Sequence, residues 1–259
     1  MFFRVAVLSV ALVTPLVAQT AVKEQPPAKE QPAADLPSAR SIIDKHVKAV
    51  GGREAVLSHK SQHAVGTFAV AASGMNGTFE MFGATSPDRI LLKVSMPGVG
   101  DIANGFDGTH GWSINPMTGP MLQQGKELEQ TRLDADFYNE LRDPKKYPTI
   151  KTVGKVDFEG RPCYKVSLTR TDGVEDFDFY DATTGLRAGS INTRETPMGT
   201  ITTTVVEGDY KKFGNVLQAT TVTQRTMGIE QKITLQTLEY DKVDPSVFDP
   251  PAEIKALIK

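Results

Sequence analysis

Between residues 58 and 123 the chain alternates apolar and polar side chains in short runs. Phe79 and Met81 alternate with Thr78 and Glu80, and Trp112 and Ile114 flank Ser113. Ile90, Leu92, Val94 and Met96 are separated by Leu91, Lys93 and Ser95. A period of two marks β-strands with one face turned to oil. Turn signals separate the runs: Gly74-Met75-Asn76-Gly77, Ser86-Pro87-Asp88, Pro97-Gly98, Asp107-Gly108 and Pro116 to Pro120. The intervals between them leave no room for crossover helices, so neighbouring strands should pair antiparallel.

A helical period appears twice around these strands. Ser38 is placed to cap a helix with Ile42, Ile43, His46, Val47 and Val50 on one stripe, stopped by Gly51-Gly52, with one more turn over Arg53 to Leu57. Leu133, Phe137 and Leu141 lie four apart, which predicts a second helix over Lys126 to Arg142, ended by Asp143-Pro144. Strand patterning then resumes through Tyr164, Val166 and Leu168, through Phe177 and Phe179, and through Thr-rich runs to a short closing helix at Ala252 to Ile258. The chain is thus expected to be mainly β (α+β), a meander of about eleven strands with helices available to cover one face.

The ends are read separately. Arg4 precedes an apolar run from Val5 to Val17, shorter than a bilayer span, which reads as a secretory signal over residues 1–20. Residues 21–37 are Lys, Glu, Gln, Pro and Ala, the composition of a disordered tether. One domain over residues 38–259 is expected to remain, in the periplasm. No cysteine lies near the leader to carry a lipid. The net charge of −2, with both signs interspersed, offers no nucleic-acid footprint.

Candidate chemistry is sparse. His59 and His63 have metal-ligand spacing but enclose Lys-Ser-Gln without a catalytic Glu, and no metal or cofactor is expected. His46 lies on an apolar stripe, as a hydrogen-bonded core histidine would. Cys163 has no partner and reads as an inert thiol. Asp176 and Asp178 alternate with Phe177 and Phe179, and are expected on a solvated outer face. With no nucleophile elbow, phosphate loop or dinucleotide fingerprint, the chain does not read as an enzyme. Met75, Met96, Met117, Met198 and Met227 fall at hairpin tips, where an adaptable apolar rim would need them; the alternative is that they fold back onto the core.

Several segments carry a family likeness. Phe106-Asp107-Gly108-Thr109-His110-Gly111-Trp112-Ser113-Ile114-Asn115-Pro116 resembles a strand–turn–strand signature of the outer-membrane lipoprotein-sorting proteins (LolA/LolB-like). Residues 86–90, 209–216 and 243–248 resemble that family's preceding strand, late hairpin and C-terminal close, and the helical segments resemble an uncharacterised branch of the superfamily. The resemblance implies an incomplete antiparallel β-barrel whose helices close a concave face over a cavity for acyl chains. Where the carriers have an Arg that grips the lid, this chain has Ser86. On this reading Phe79, Met81, Ile90, Leu92, Val94, Trp112 and Ile114 line a hydrophobic cavity, and Leu133 and Phe137 belong to its lid. The expected partners are a lipid or an acylated protein and an envelope membrane protein. The implied function is a periplasmic carrier; the alternative is an envelope sensor or scaffold that binds a protein.

Overall fold

A computed structural model describes residues 36–196 and 199–258. The expected secretory signal (residues 1–20), the expected linker up to residue 35 and Met198 lie outside them. The first helix, α1 (Ala39–Ala49), begins as its sequence demands: Ser38 Oγ accepts the Ser41 N–H at 3.2 Å, and Ile42, Ile43, His46 and Val47 are buried. It stops where the chain takes positive φ at Gly51 and Gly52, and a side chain on Gly51 would meet the Asn215 carbonyl at 2.4 Å. A short α2 (Arg53–Ser58) follows.

Thirteen strands, rather than about eleven, form one antiparallel sheet. They are β1 (Ser61–Val70), β2 (Met75–Ala84), β3 (Arg89–Met96), β4 (Gly100–Phe106), β5 (Gly111–Asn115) and β6 (Gly119–Leu122), then β7 (Thr149–Phe158), β8 (Arg161–Thr169), β9 (Glu175–Asp181), β10 (Arg187–Thr196), β11 (Gly199–Phe213), β12 (Val216–Thr226) and β13 (Ile229–Tyr240). Their spatial order is β6-β5-β4-β3-β2-β1-β13-β12-β11-β10-β9-β8-β7. The first and last strands therefore pair through β1 and β13, and the two halves meet in the middle.

The helix α3 (Gly125–Asp134) shows that the sheet is curled. It lies against both β5 and β10, which are eight strand steps apart in the sheet order. Flat, those strands would be about 38 Å apart at ~4.8 Å per step. A helix of ten residues is only about 15 Å long. The sheet must bend until α3 can bridge its flanks, which makes it an incomplete barrel with α1 and α3 on the concave side.

The second helix is shorter than its spacing predicts. It ends at Asp134, and a separate 3₁₀ turn covers Asn139–Leu141. Asp136 causes the break: its carboxylate accepts the Tyr138 N–H at 3.3 Å, which diverts the backbone from helical pairing. The closing helix α4 is likewise cut to Ala252–Lys255. No helix among the described residues is long and apolar enough to cross a membrane.

Candidate functional site: the concave face

Cross-strand register assigns each side chain to a face. Phe79 pairs with Val94, Met81 with Leu92, and Gly83 with Ile90, so Phe79, Met81, Ile90, Leu92 and Val94 share the concave side. They join Ala64, Phe68, Met96 and Ile102 with Val205, Val222, Ile233, Leu235 and Leu238 in one apolar cluster, against which Met75, Ile90, Phe213 and Tyr240 also pack. Every one of these residues comes from a strand. The clusters elsewhere on this side are built differently: α1 supplies Ile42, Ile43 and Val47 against Val166, Leu168 and Tyr180, and Val50 and Val56 pack with Ala219.

Aromatic rings fill the space of missing side chains within the apolar patch. Phe79 stands opposite Gly66, and Phe68 opposite Gly77. A Cβ on Gly66 would lie 2.5 Å from the Phe79 ring, and one on Gly77 2.7 Å from the Phe68 ring. The rings thus lie over the strand next to their own, buried within the cluster.

Trp112 and Ile114 part company with the other lining candidates. Trp112 pairs with Gly105 and Ile114 with Ala103, and those positions alternate with Phe106, Asn104 and Ile102 on the concave side. Both residues therefore point to the convex face. There Trp112 packs with Leu91, Phe248 and Ile254 beneath the C-terminal segment, and Ile114 packs at the edge of the same cluster. The run from Gly111 to Asn115 is too short to reveal which of its alternating faces turns inward.

The other half of the concave side is charged, opposite to the expectation for Asp176 and Asp178. Each is 1 % exposed and faces inward, while Phe177 and Phe179 join Phe158, Cys163 and Ile191 on the convex side. The alternation was visible in the sequence, but the arginines that make burial tolerable come from distant segments. Arg142 Nε donates to Asp178 at 2.8 Å, and Tyr180 OH donates to the same oxygen. Arg187 grips Glu207 with two nitrogens, at 2.6 and 3.2 Å, and Tyr210 OH donates to Glu207 as well. Arg170 Nη1 donates to Asp176 at 3.1 Å. Burial works to raise the pKa of Asp178, but the Arg142 and Arg187 charges outweigh it and hold the carboxyl below its ordinary value. His46, a core histidine as expected, lies between Glu140 (2.6 Å) and the Gly185 carbonyl (3.2 Å).

Further ion pairs fasten residues 125–147, which include the segment Lys126 to Arg142 expected to act as a lid and are called the lid below, to the sheet. Asp134 at the end of α3 pairs with Arg194 of β10 at 2.6 Å. Lys146 bridges Asp136 (2.7 Å) and Asp88 (2.9 Å), tying the lid to the β2–β3 turn two residues beyond Ser86. Leu133 and Phe137 are buried, and Phe137 lies over Gly83 at the end of the apolar patch. The first turns of α3, by contrast, are largely exposed.

His59 and His63 do not converge. His59 lies between Asp241 and Asn215 and stacks on Tyr240, whereas His63 pairs with Glu80 and stacks on Phe82. Cys163 is a buried free thiol whose pKa burial pushes up to about 11. Of the methionine tips, Met117 and Met227 are 72 % and 78 % exposed, Met75 is half-buried and Met96 is buried. Met96 turns inward because it continues the Leu92–Val94 face.

The architecture defines a half-barrel with one oily and one charged inner region. A DUF1329 family protein of Desulfovibrio piger superposes on 82 % of this chain and 97 % of its own, with a TM-score of 0.55 and 12 % identity. A LolA superfamily protein of Nitrosomonas europaea superposes on 83 % of this chain and 99 % of its own, with a TM-score of 0.54 and 10 % identity. The sequence matches no family model and none of the curated proteins. The chain has the LolA-like fold.

Proposed function

We propose that the protein is an envelope carrier of hydrophobic ligands, taking an acyl chain against the strands of its concave face. The observation that carries this is an apolar cluster, only 0–9 % exposed, built wholly from strand residues of β1–β4 and β11–β13 with no described helix in it, so that an acyl chain would enter by parting side chains that otherwise pack on one another. Burial of hydrocarbon suffices for affinity at about 0.8 kcal/mol per methylene, so no catalytic group is required. The lid segment would close this face: ion pairs of Asp134, Asp136 and Arg142 hold its middle, and the more exposed first turns of α3 would form the gate. The apolar run at residues 5–17 and the resemblance to lipoprotein-sorting proteins support export to the periplasm and a lipid or acylated protein as cargo.

The test is binding of a fluorescent fatty acid together with mass spectrometry of lipid extracted from protein purified from its host. Saturable uptake, weakened by Ile90→Asp at the edge of the patch, supports the proposal. Protein that carries no lipid and takes up no fatty acid overturns it.

A further inference from the structure

His46 is fully buried on α1, and each of its ring nitrogens faces an oxygen acceptor. Nδ1 lies 3.2 Å from the Gly185 carbonyl, and Nε2 lies 2.6 Å from Glu140 Oε2. A neutral imidazole has one N–H, so it satisfies one of these oxygens and turns a lone pair on the other. Both contacts are made only when one further proton sits between Nε2 and Oε2. Burial works to raise the pKa of Glu140, but positive charge around it, that of Arg187 included, outweighs it. The carboxylate is thus the ionised member of the pair, and the ring is the imidazolium.

The buried charges around the pair point the same way. Glu140 and Arg142 come from the lid, Asp178 and Tyr180 from β9, Arg187 from β10, and Glu207 and Tyr210 from β11. The Tyr180 ring lies 5.3 Å from the His46 ring. Lys45, beside His46 on α1, is exposed and donates to the Ala182 and Thr183 carbonyls. Burial raises the pKa of both tyrosines and keeps them neutral. Among the described residues this leaves three carboxylates, Glu140, Asp178 and Glu207, against two arginines, Arg142 and Arg187. A third cation at His46 closes the balance that a buried cluster requires.

We infer that the proton shared by His46 and Glu140 is a latch on the lid, locked by acid and released by base. Glu140 belongs to the 3₁₀ turn Asn139–Leu141. Arg40 of α1 grips the same turn, donating to the Leu141 and Arg142 carbonyls at 3.0 Å each. With the turn seated on α1, the pair holds its proton. With the turn lifted, both side chains meet water, where histidine is neutral above about pH 6.5. Closing above that pH takes up one proton. Closure therefore weakens by at most about tenfold for each unit of rising pH, and tightens as pH falls back toward 6.5. The latch regulates the concave site, and its part in holding or releasing cargo rests on the carrier reading.

The experiment starts from the full-length native chain without added lipid. In ¹⁵N NMR at pH 7.5, with the His46 ring assigned through its bonds to the backbone, both ring nitrogens should carry protons. Hydrogen-exchange protection factors for residues 139–142, which correct for the intrinsic pH dependence of exchange, should fall as pH rises from 7 to 9, by up to about tenfold per unit. Glu140→Gln offers an N–H to Nε2 and satisfies the neutral ring, so its protection should stay level over that range. A neutral His46 ring at pH 7.5, or native protection that stays level, overturns the inference, and both are read without any variant. So does a Glu140→Gln protein whose protection falls as the native one's does. Fatty-acid uptake is a separate readout: uptake with a neutral His46 ring sinks only the latch, and a protonated, pH-sensitive latch without uptake sinks only the carrier.

Discussion

Asp134 and Arg194 form a 2.6 Å ion pair that joins the last residue of α3 to β10, fixing one side of the lid to the far flank of the sheet. Asp134 is nearly buried and Arg194 is about one-fifth exposed, so solvent screening limits the pair's contribution to about 1 kcal/mol. Arg194→Ala should lower global stability by about that much. Its larger effect should be local. Hydrogen exchange across residues 125–134 should accelerate while the strands stay protected, and fatty-acid exchange should become faster.

The charged half of the concave face predicts a pH dependence. The folded pKa of Asp178 is depressed below its ordinary 3.8, so its contribution is complete above that value and is lost as pH falls through the folded value. Asp178→Asn leaves Arg142 and weakens the surroundings of Arg187, and should cost about 3 kcal/mol near neutral pH. Urea denaturation from pH 7 to pH 2.5 should show the gap between variant and native protein constant above pH 4 and narrowing below it.

Glycines under aromatic rings should respond unlike glycines in open space. Gly66→Ala puts a methyl 2.2 Å from the Thr234 carbonyl and against the Phe79 ring, and should destabilise by about 2 kcal/mol while displacing Phe79 from the apolar patch. Gly154 also lies in a strand but has nothing within 4 Å of a Cβ, so Gly154→Ala should be neutral or slightly stabilising. Thermal melts of the two variants check the contrast.

Trp112, the only tryptophan, reports on the convex side. Ile254→Ala opens the cluster over its ring and should shift its emission to the red, with a loss of about 3 kcal/mol. Fatty acid bound on the concave face should leave that emission almost unchanged.

Much of this fold was legible in the sequence because local rules and tertiary packing agree. Ser38, the Ile42–Val47 stripe and Gly51-Gly52 specify α1 without outside help, and the period-two runs of β2 and β3 name Phe79, Met81, Leu92 and Val94 as neighbours. The uncertain part was sidedness. Alternation at Asp176–Phe179 and at Trp112–Ile114 separates two faces but does not say which is enclosed, and both faces of this sheet are partly covered. The C-terminal segment over Trp112, and Arg142 and Arg187 beside Asp178, are brought in by long-range contacts that no short window contains. The length of the second helix is hidden for a local reason: Asp136 ends it, while the spacing of Leu133, Phe137 and Leu141 suggests that it continues.

Photo-crosslinking with a diazirine-bearing fatty acid, followed by peptide mapping, tests the central claim most directly. The account predicts adducts on the peptides that carry Phe79, Met81, Leu92 and Val94, and on those of β12 and β13 with Val222 and Leu235, but none on the peptide with Trp112 and Ile114. Adducts confined to the convex face, or none that a competing unlabelled fatty acid removes, would contradict it.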